Sequence, residues 1–303
     1  MKVLILGAGA VGLSIAARLS TVCSVDVLCR PRHAAVIQER GFELTGIWGD
    51  GVFPLSALTE VPAENRYDYC IISAKSQSTR ELCEAHKAIL AKAAVVSLQN
   101  GIGNEEIISE YSSTVIGGTI ITGFEWRGDA QVHATVEAGP IRLGTFPNGM
   151  DQAAEQLVTL FKQAGLNVEA SNNIQSNIWA KTLYNCALNP LGAILDVPYG
   201  ELAHPTTWHI IEQLIGEAFQ VSQQEQITLP WQNAQEYLTY LQEVQIPVTA
   251  EHHSSMLQDI RRGYTTEIDF INGAITRLGK THGVATPVND TLVNQIKFIS
   301  RGS

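Results

Sequence analysis

Lys181, Asn185 and Asn189 stand four residues apart. On a helix each step of four turns a side chain by only about 40°, so the three lie along one face. Their neighbours Ile178, Trp179, Ala180, Leu183, Ala187, Leu188 and Leu191 are apolar. A narrow polar stripe on such a helix costs stability unless it finds partners. A polar ligand would supply them, and so would solvent on a surface helix or neighbouring backbone. A lysine ammonium beside an oxygen that gains charge can stabilise it and then give it a proton.

A second group lies at the start of the chain. Gly7-Ala8-Gly9-Ala10-Val11-Gly12 is a G-x-G-x-x-G that follows the apolar run Val3 to Leu6 and opens a helical stretch. In that context the first glycine makes a tight turn and the second admits a pyrophosphate to the backbone. The third lets helix and strand pack closely. The next strand candidate ends at Cys29-Arg30-Pro31-Arg32. A carboxylate there would bind the ribose 2′-hydroxyl of NAD, whereas an arginine offers donors to a 2′-phosphate. Asp26 lies inside the strand, too early for that role. NADP is the expected cofactor, with Arg30 on the phosphate and Arg32 assisting. The alternative is a pair of solvated arginines.

Three further positions carry chemistry. Ser255 can donate to a carboxylate, or cap the helix that Met256-Leu257 opens. Glu267 is a carboxylate able to face Lys181, a ribose or a substrate, or a favourable charge at a helix N-terminus after Thr265-Thr266. His252 and His253 are adjacent and so diverge on a helix. With no acidic partner at metal spacing, no metal site is expected.

These residues need a scaffold. Strand candidates at Lys2 to Leu6, Val25 to Cys29, Tyr69 to Ser73, Val95 to Leu98 and Thr114 to Ile121 alternate with helical stretches, which implies a parallel sheet covered on both faces. Beyond about residue 150 the apolar period becomes helical. Helices are predicted over Asn177 to Leu195, Thr206 to Gln226, Trp231 to Gln245 and Thr266 to Leu278. The expected fold is α/β: a dinucleotide-binding Rossmann domain over 1–171, then an all-helical domain over 172–303. Helices such as Thr206 to Gln226 could pair two subunits, and a monomer is equally allowed.

The 303 residues include 20 Lys and Arg against 30 Asp and Glu, a net charge of −10. With no basic run, nucleic acid is an unsuitable partner. No stretch reaches the roughly 18 apolar residues of a membrane helix. The five cysteines show no C-x-x-C spacing and read as reduced thiols in a cytoplasmic protein.

Taken in order, Gly7 to Gly12, Lys75, Gln99-Asn100-Gly101-Ile102-Gly103-Asn104-Glu105-Glu106, the Lys181, Asn185, Asn189-Pro190 series, Ser254 to Asp259 and Thr266 to Asp269 resemble the ketopantoate reductase (2-dehydropantoate 2-reductase) family over nearly the whole chain. The resemblance implies an NADP-dependent oxidoreductase that reduces 2-dehydropantoate to (R)-pantoate, toward pantothenate and coenzyme A. It implies Lys181 as catalytic proton donor, and Asn185, Asn189 and Ser255 as substrate-binding residues. Asn100 then lies near both nicotinamide and substrate, Lys75 beside the cofactor, and Glu267 at the cofactor end of the site.

Two positions depart from the family pattern. His252 and Tyr199 stand where the best-known members carry substrate-side asparagines. Both rings can still donate and accept toward a substrate hydroxyl. They can also close the pocket around another 2-oxo acid. The competing readings are therefore a paralogous reductase of another 2-oxo acid and a non-catalytic NADP-binding sensor.

Overall fold

The computed structural model describes residues 1–301. The chain divides into two compact units. The first holds residues 1–99 and 104–175. The second holds 100–103 and the chain from residue 176 onward.

Twelve strands form two sheets among the described residues of the first unit. The strands are β1 (Lys2–Leu6), β2 (Ser24–Leu28), β3 (Phe42–Gly46), β4 (Gly51–Phe53), β5 (Ser56–Leu58), β6 (Tyr69–Ile72), β7 (Ala94–Ser97), β8 (Val115–Thr119), β9 (Thr122–Gly128), β10 (Gln131–Glu137), β11 (Ile141–Thr145) and β12 (Val168–Ala170). The main sheet runs β12-β11-β8-β7-β6-β1-β2-β5. From β5 to β8 every pairing is parallel, and β11 runs antiparallel to β8. Its strands are apolar on both faces because helices cover both. Alternate residues divide accordingly: Val3, Ile5, Ile71 and Val96 enter one core, and Leu4, Leu6, Ile72 and Val95 the other.

The strand order turns back between β1 and β6, since the chain builds outward through β2 on one side and through β6 on the other. The crevice at the carboxyl ends of such a pair is where doubly wound sheets bind ligands.

The second sheet, β4-β3-β10-β9, is absent from the strand candidates read from sequence. Its strands are three to seven residues long and its outer positions are exposed, so the apolar alternation is weak. Phe42, Leu44, Val132 and Ala134 nevertheless join the core that holds Leu13 and Ala17 of the helix Ala10–Leu19.

The second unit is helical. Its longest helix, Ile174–Leu195, contains Pro190. Proline has no N–H, so the carbonyl four residues earlier loses its helical donor. That carbonyl belongs to Cys186, and the Asn272 side chain donates to it at 3.2 Å. Asn272 also donates to Asn289, which in turn donates to Glu217, whose carboxylate accepts the first N–H groups of the helix Pro287–Ile299.

The helix predicted over Thr266 to Leu278 is instead a 3-10 turn at Ile268–Phe270 followed by a helix at Asn272–His282. Ile271, with φ −100° and ψ −101°, separates them. The helix predicted over Trp231 to Gln245 begins at Asn233, whose side chain caps it. It widens into a π-turn over Leu241–Gln245.

All five cysteines are unpaired, four buried and Cys23 half-buried. No described helix is long and apolar enough to cross a membrane.

Candidate functional site

The glycine loop shows three different demands for the same residue. Gly7 has φ +126°, and a Cβ there would stand 2.4 Å from the Ala74 nitrogen. A Cβ on Gly12 would stand 2.1 Å from the Gly7 carbonyl oxygen and 2.3 Å from Ser73 Oγ. Gly9 has only the Ser73 carbonyl nearby, at 4.0 Å, so its face is open. Ser73 donates to the Gly7 carbonyl at 3.0 Å and ties the loop to the end of β6. Gly9 caps the helix Ala10–Leu19, which carries neither a side-chain cap nor an acidic residue in its first turn. Its leading N–H groups and dipole thus meet an open backbone surface, the arrangement that receives a phosphate. Ala8, Ala10 and Val11, also expected at the cofactor, are half-buried around it.

Arg30 is exposed at the N-cap of the helix Pro31–Arg40, directly beyond β2. Arg32 is exposed in the first turn of the same helix. It pairs with Asp129 at 2.8 Å, at the turn between β9 and β10. That hydrogen bond holds the Asp129 carboxyl below its usual pKa. Asp26 is occupied within its strand by Lys2 at 2.9 Å and by the Tyr67 hydroxyl at 2.9 Å. Burial alone would raise its pKa, but bonds from Ser56, Lys2 and Tyr67 together lower it.

Lys75, half-buried, caps a 3-10 turn at Ser76–Ser78. A buried polar network that the sequence reading missed holds this turn. The Gln99 amide donates to the Ala74 carbonyl at 2.9 Å and to Thr79 at 2.8 Å. Thr79 donates to Asn104, and Asn104 to Ser76. The network joins the segments that follow β6 and β7, with Gln99 Oε1 left buried and without a protein partner among the described residues. Their only sequence signal was Gln99 and Asn104 flanking the run Asn100-Gly101-Ile102-Gly103.

In the second unit, Asn100 donates to Glu267 at 2.9 Å. The backbone enforces that meeting. Ile102 N–H bonds the Phe270 carbonyl at 2.8 Å. Gly101 has φ +88°, and a Cβ there would lie 2.1 Å from the Phe270 carbonyl oxygen. Glu267 is buried and directly precedes the 3-10 turn Ile268–Phe270, with the α-helix starting only at Asn272.

The helix Ile174–Leu195 carries Lys181 half-buried, and Asn185 and Asn189 buried at 7% and 3% exposure. Asn189 Oδ1 accepts the Tyr199 hydroxyl at 2.5 Å. Among the described residues the Asn185 side chain has no hydrogen-bond partner, and neither of its polar atoms is sealed from solvent. A buried amide in that condition suits a polar ligand.

The two residues that depart from the family pattern touch each other. The Tyr199 ring lies 5.4 Å from that of His252 and edge-on to Tyr184 at 5.7 Å. The Tyr199 N–H also bonds the His252 carbonyl at 3.0 Å. Tyr199 is 2% exposed and its hydroxyl is spent on Asn189. Burial, with Tyr184 nearby, lifts the phenol's pKa well above its ordinary value and keeps it an O–H donor.

Ser255 is exposed at the start of the helix Ser255–Arg261. The cap is its neighbour Ser254, which accepts from the Leu257 N–H at 3.0 Å. The capping role considered for Ser255 is thus already filled. Among the described residues no cluster of His, Cys, Asp and Glu could hold a metal ion.

Two family models match the chain: "Ketopantoate reductase PanE/ApbA" over residues 3–148 and "Ketopantoate reductase PanE/ApbA C terminal" over residues 173–300. A 2-dehydropantoate 2-reductase of Aquifex aeolicus is 35% identical, with 98% of this chain and 96% of the relative covered. The crystal structure of a PanE/ApbA family ketopantoate reductase from Ralstonia eutropha superposes with a TM-score of 0.88 at 29% identity, covering 99% and 98% of the two chains. The ternary structure of D-mandelate dehydrogenase with NADH and anilino(oxo)acetate superposes with a TM-score of 0.89, also at 29% identity and covering 99% and 98%.

Proposed function

The chain belongs to the ketopantoate reductase family, and from that premise we propose that it reduces 2-dehydropantoate to (R)-pantoate with NADPH. The observation that carries the reading is the buried polar face of the helix Ile174–Leu195, where Lys181, Asn185 and Asn189 follow one another at helical spacing.

The residues fit the cofactor. The open face at Gly9 and the helix N-terminus behind it suit a pyrophosphate, and Arg30 suits a 2′-phosphate. Lys75 and Asn100 complete the proposed cofactor set, with Glu267 acting through Asn100. When bound, the nicotinamide supplies a hydride. Lys181 stabilises the negative charge that grows on the C2 oxygen and then protonates it. Asn185, Asn189 and His252 orient the substrate, and Ser255 donates to its carboxylate. A sensor would need none of these groups. The five unpaired thiols support a cytoplasmic setting.

A second reading, reduction of another 2-oxo acid, draws on the paired rings of Tyr199 and His252. It also draws on the likeness to D-mandelate dehydrogenase. One experiment separates the two. Purified protein is mixed with NADPH and a panel of 2-oxo acids, and absorbance is followed at the nicotinamide band. Fastest turnover with 2-dehydropantoate supports the first reading, and preference for an aryl or unhydroxylated branched acid supports the second. Turnover of none refutes both.

A further inference from the structure

We infer that Tyr199 is a positioning residue that turns Asn189 into a donor-only contact for the substrate. The inference rests on the reductase reading of the helix Ile174–Leu195.

An asparagine amide has an acceptor end and a donor end, and which end faces a ligand is set by what holds the other. Here the Tyr199 hydroxyl donates to Asn189 Oδ1. The acceptor end is committed, and no protein partner takes Nδ2 among the described residues. Nor is Nδ2 a sealed, orphaned atom. It is the end left for a ligand.

Tyr199 is itself immobile. Its ring is packed between Tyr184 and His252, its N–H is bonded to the His252 carbonyl, and it is 2% exposed. Tyr184 is anchored in turn, donating to Thr249 at 2.9 Å. An asparagine at position 199 could bond Asn189 through either end and leave both orientations open. The Tyr199 hydroxyl, as placed by its packed ring, donates to Oδ1 and so holds one of them. A substrate group read by Asn189 must then accept a hydrogen bond, as a carboxylate, a ketone or a hydroxyl lone pair can. A group that only donates is refused.

The test is a double-mutant cycle with Tyr199→Phe and Asn189→Ala, run with NADPH on whichever 2-oxo acid the wild-type protein reduces best. Phenylalanine keeps the ring contacts and removes only the hydroxyl. Freed from its pin, Asn189 should bind substrate roughly three- to tenfold more weakly, the usual span for one neutral hydrogen bond. The loss should fall on KM, with kcat within about twofold. In the Asn189→Ala background the same change should have no further effect on KM, because the residue it positions is gone. An equal loss in both backgrounds would make Tyr199 merely structural and overturn the inference.

A second measurement does not depend on the folding of the Phe variant. The Asn189 side-chain NH2 resonances, identified by their loss in Asn189→Ala, should move when substrate joins the oxidised-cofactor complex. Resonances that stay fixed on binding would refute the donor assignment. If the best substrate is not 2-dehydropantoate, the substrate reading alone fails and the cycle stands. If no 2-oxo acid is reduced, both fall.

Discussion

Replacing Gly9 and Gly12 by alanine, one at a time, should separate holding the fold from holding the cofactor. At Gly12 the new methyl would lie 2.1 Å from a backbone oxygen and 2.3 Å from Ser73 Oγ. Neither distance is tolerable, and the backbone oxygen cannot swing away. Overpacking of this kind costs about 1–3 kcal/mol, which in a unit of this size lowers Tm by about 2–12 °C. At Gly9 the nearest atom is 4.0 Å away and φ is −82° with ψ 179°, an ordinary extended conformation. Alanine is a poorer cap by roughly half to 1 kcal/mol, and a less flexible unfolded chain returns about 0.4–1 kcal/mol. Tm should therefore move by no more than about 3 °C. The methyl would occupy the face reserved for the pyrophosphate. Losing one charge-assisted backbone contact of about 1.5–3 kcal/mol weakens NADPH binding about ten- to a hundredfold. Thermal melts and fluorescence titration with NADPH read the two effects separately. A Gly9→Ala protein that binds NADPH like the wild type would refute the phosphate assignment. A Gly12→Ala protein with unchanged Tm would refute the packing argument.

Arg30→Ala should raise the KM for NADPH by roughly ten- to a hundredfold and leave that for NADH nearly unchanged. Equal losses with both cofactors would remove the 2′-phosphate assignment. Lys181→Ala should lower turnover by about two to four powers of ten while NADPH titration hardly changes. Turnover surviving within about threefold would mean that another group donates the proton. The unhydroxylated analogue 2-oxo-3,3-dimethylbutyrate should be reduced at least about a hundred times less efficiently than 2-dehydropantoate. Comparable efficiencies would transfer the assignment to the paralogue reading.

What could be read from the chain depended on how local each signal was. The glycine loop declares itself because strand, turn and helix are contiguous, and the longer parallel strands because they are mostly apolar runs; the three-residue parallel strands β5 and β12 are too short to show. The polar stripe on the long helix is legible because helical spacing alone puts three residues on one face. Other features depend on partners distant in sequence. Nothing near Asn100 indicates Glu267, 167 positions later, and nothing near Arg32 indicates Asp129 across the small sheet. Tyr199 and His252 were singled out separately, and only the fold shows that one ring rests on the other. Ser255 was the residue read as a possible cap, and only the backbone geometry shows that its neighbour Ser254 fills that place. The small sheet stayed hidden because its segments, on either side of residues 54–121, pair with each other through β3 and β10.

The distribution of the thiols provides a built-in clock. Cys23, Cys29, Cys70 and Cys83 belong to the first unit, whereas Cys186 alone belongs to the second and is wholly buried on its longest helix. Burial pushes Cys29 and Cys83 up to about 11 and Cys70 up to about 12, and raises Cys186 further still. Such thiols are inert while enclosed and react once exposed. Pulsed alkylation followed by peptide mass analysis would time the opening of each half in one sample, with no label introduced. Modification of Cys186 would date the helical half, and modification of Cys70 the sheet.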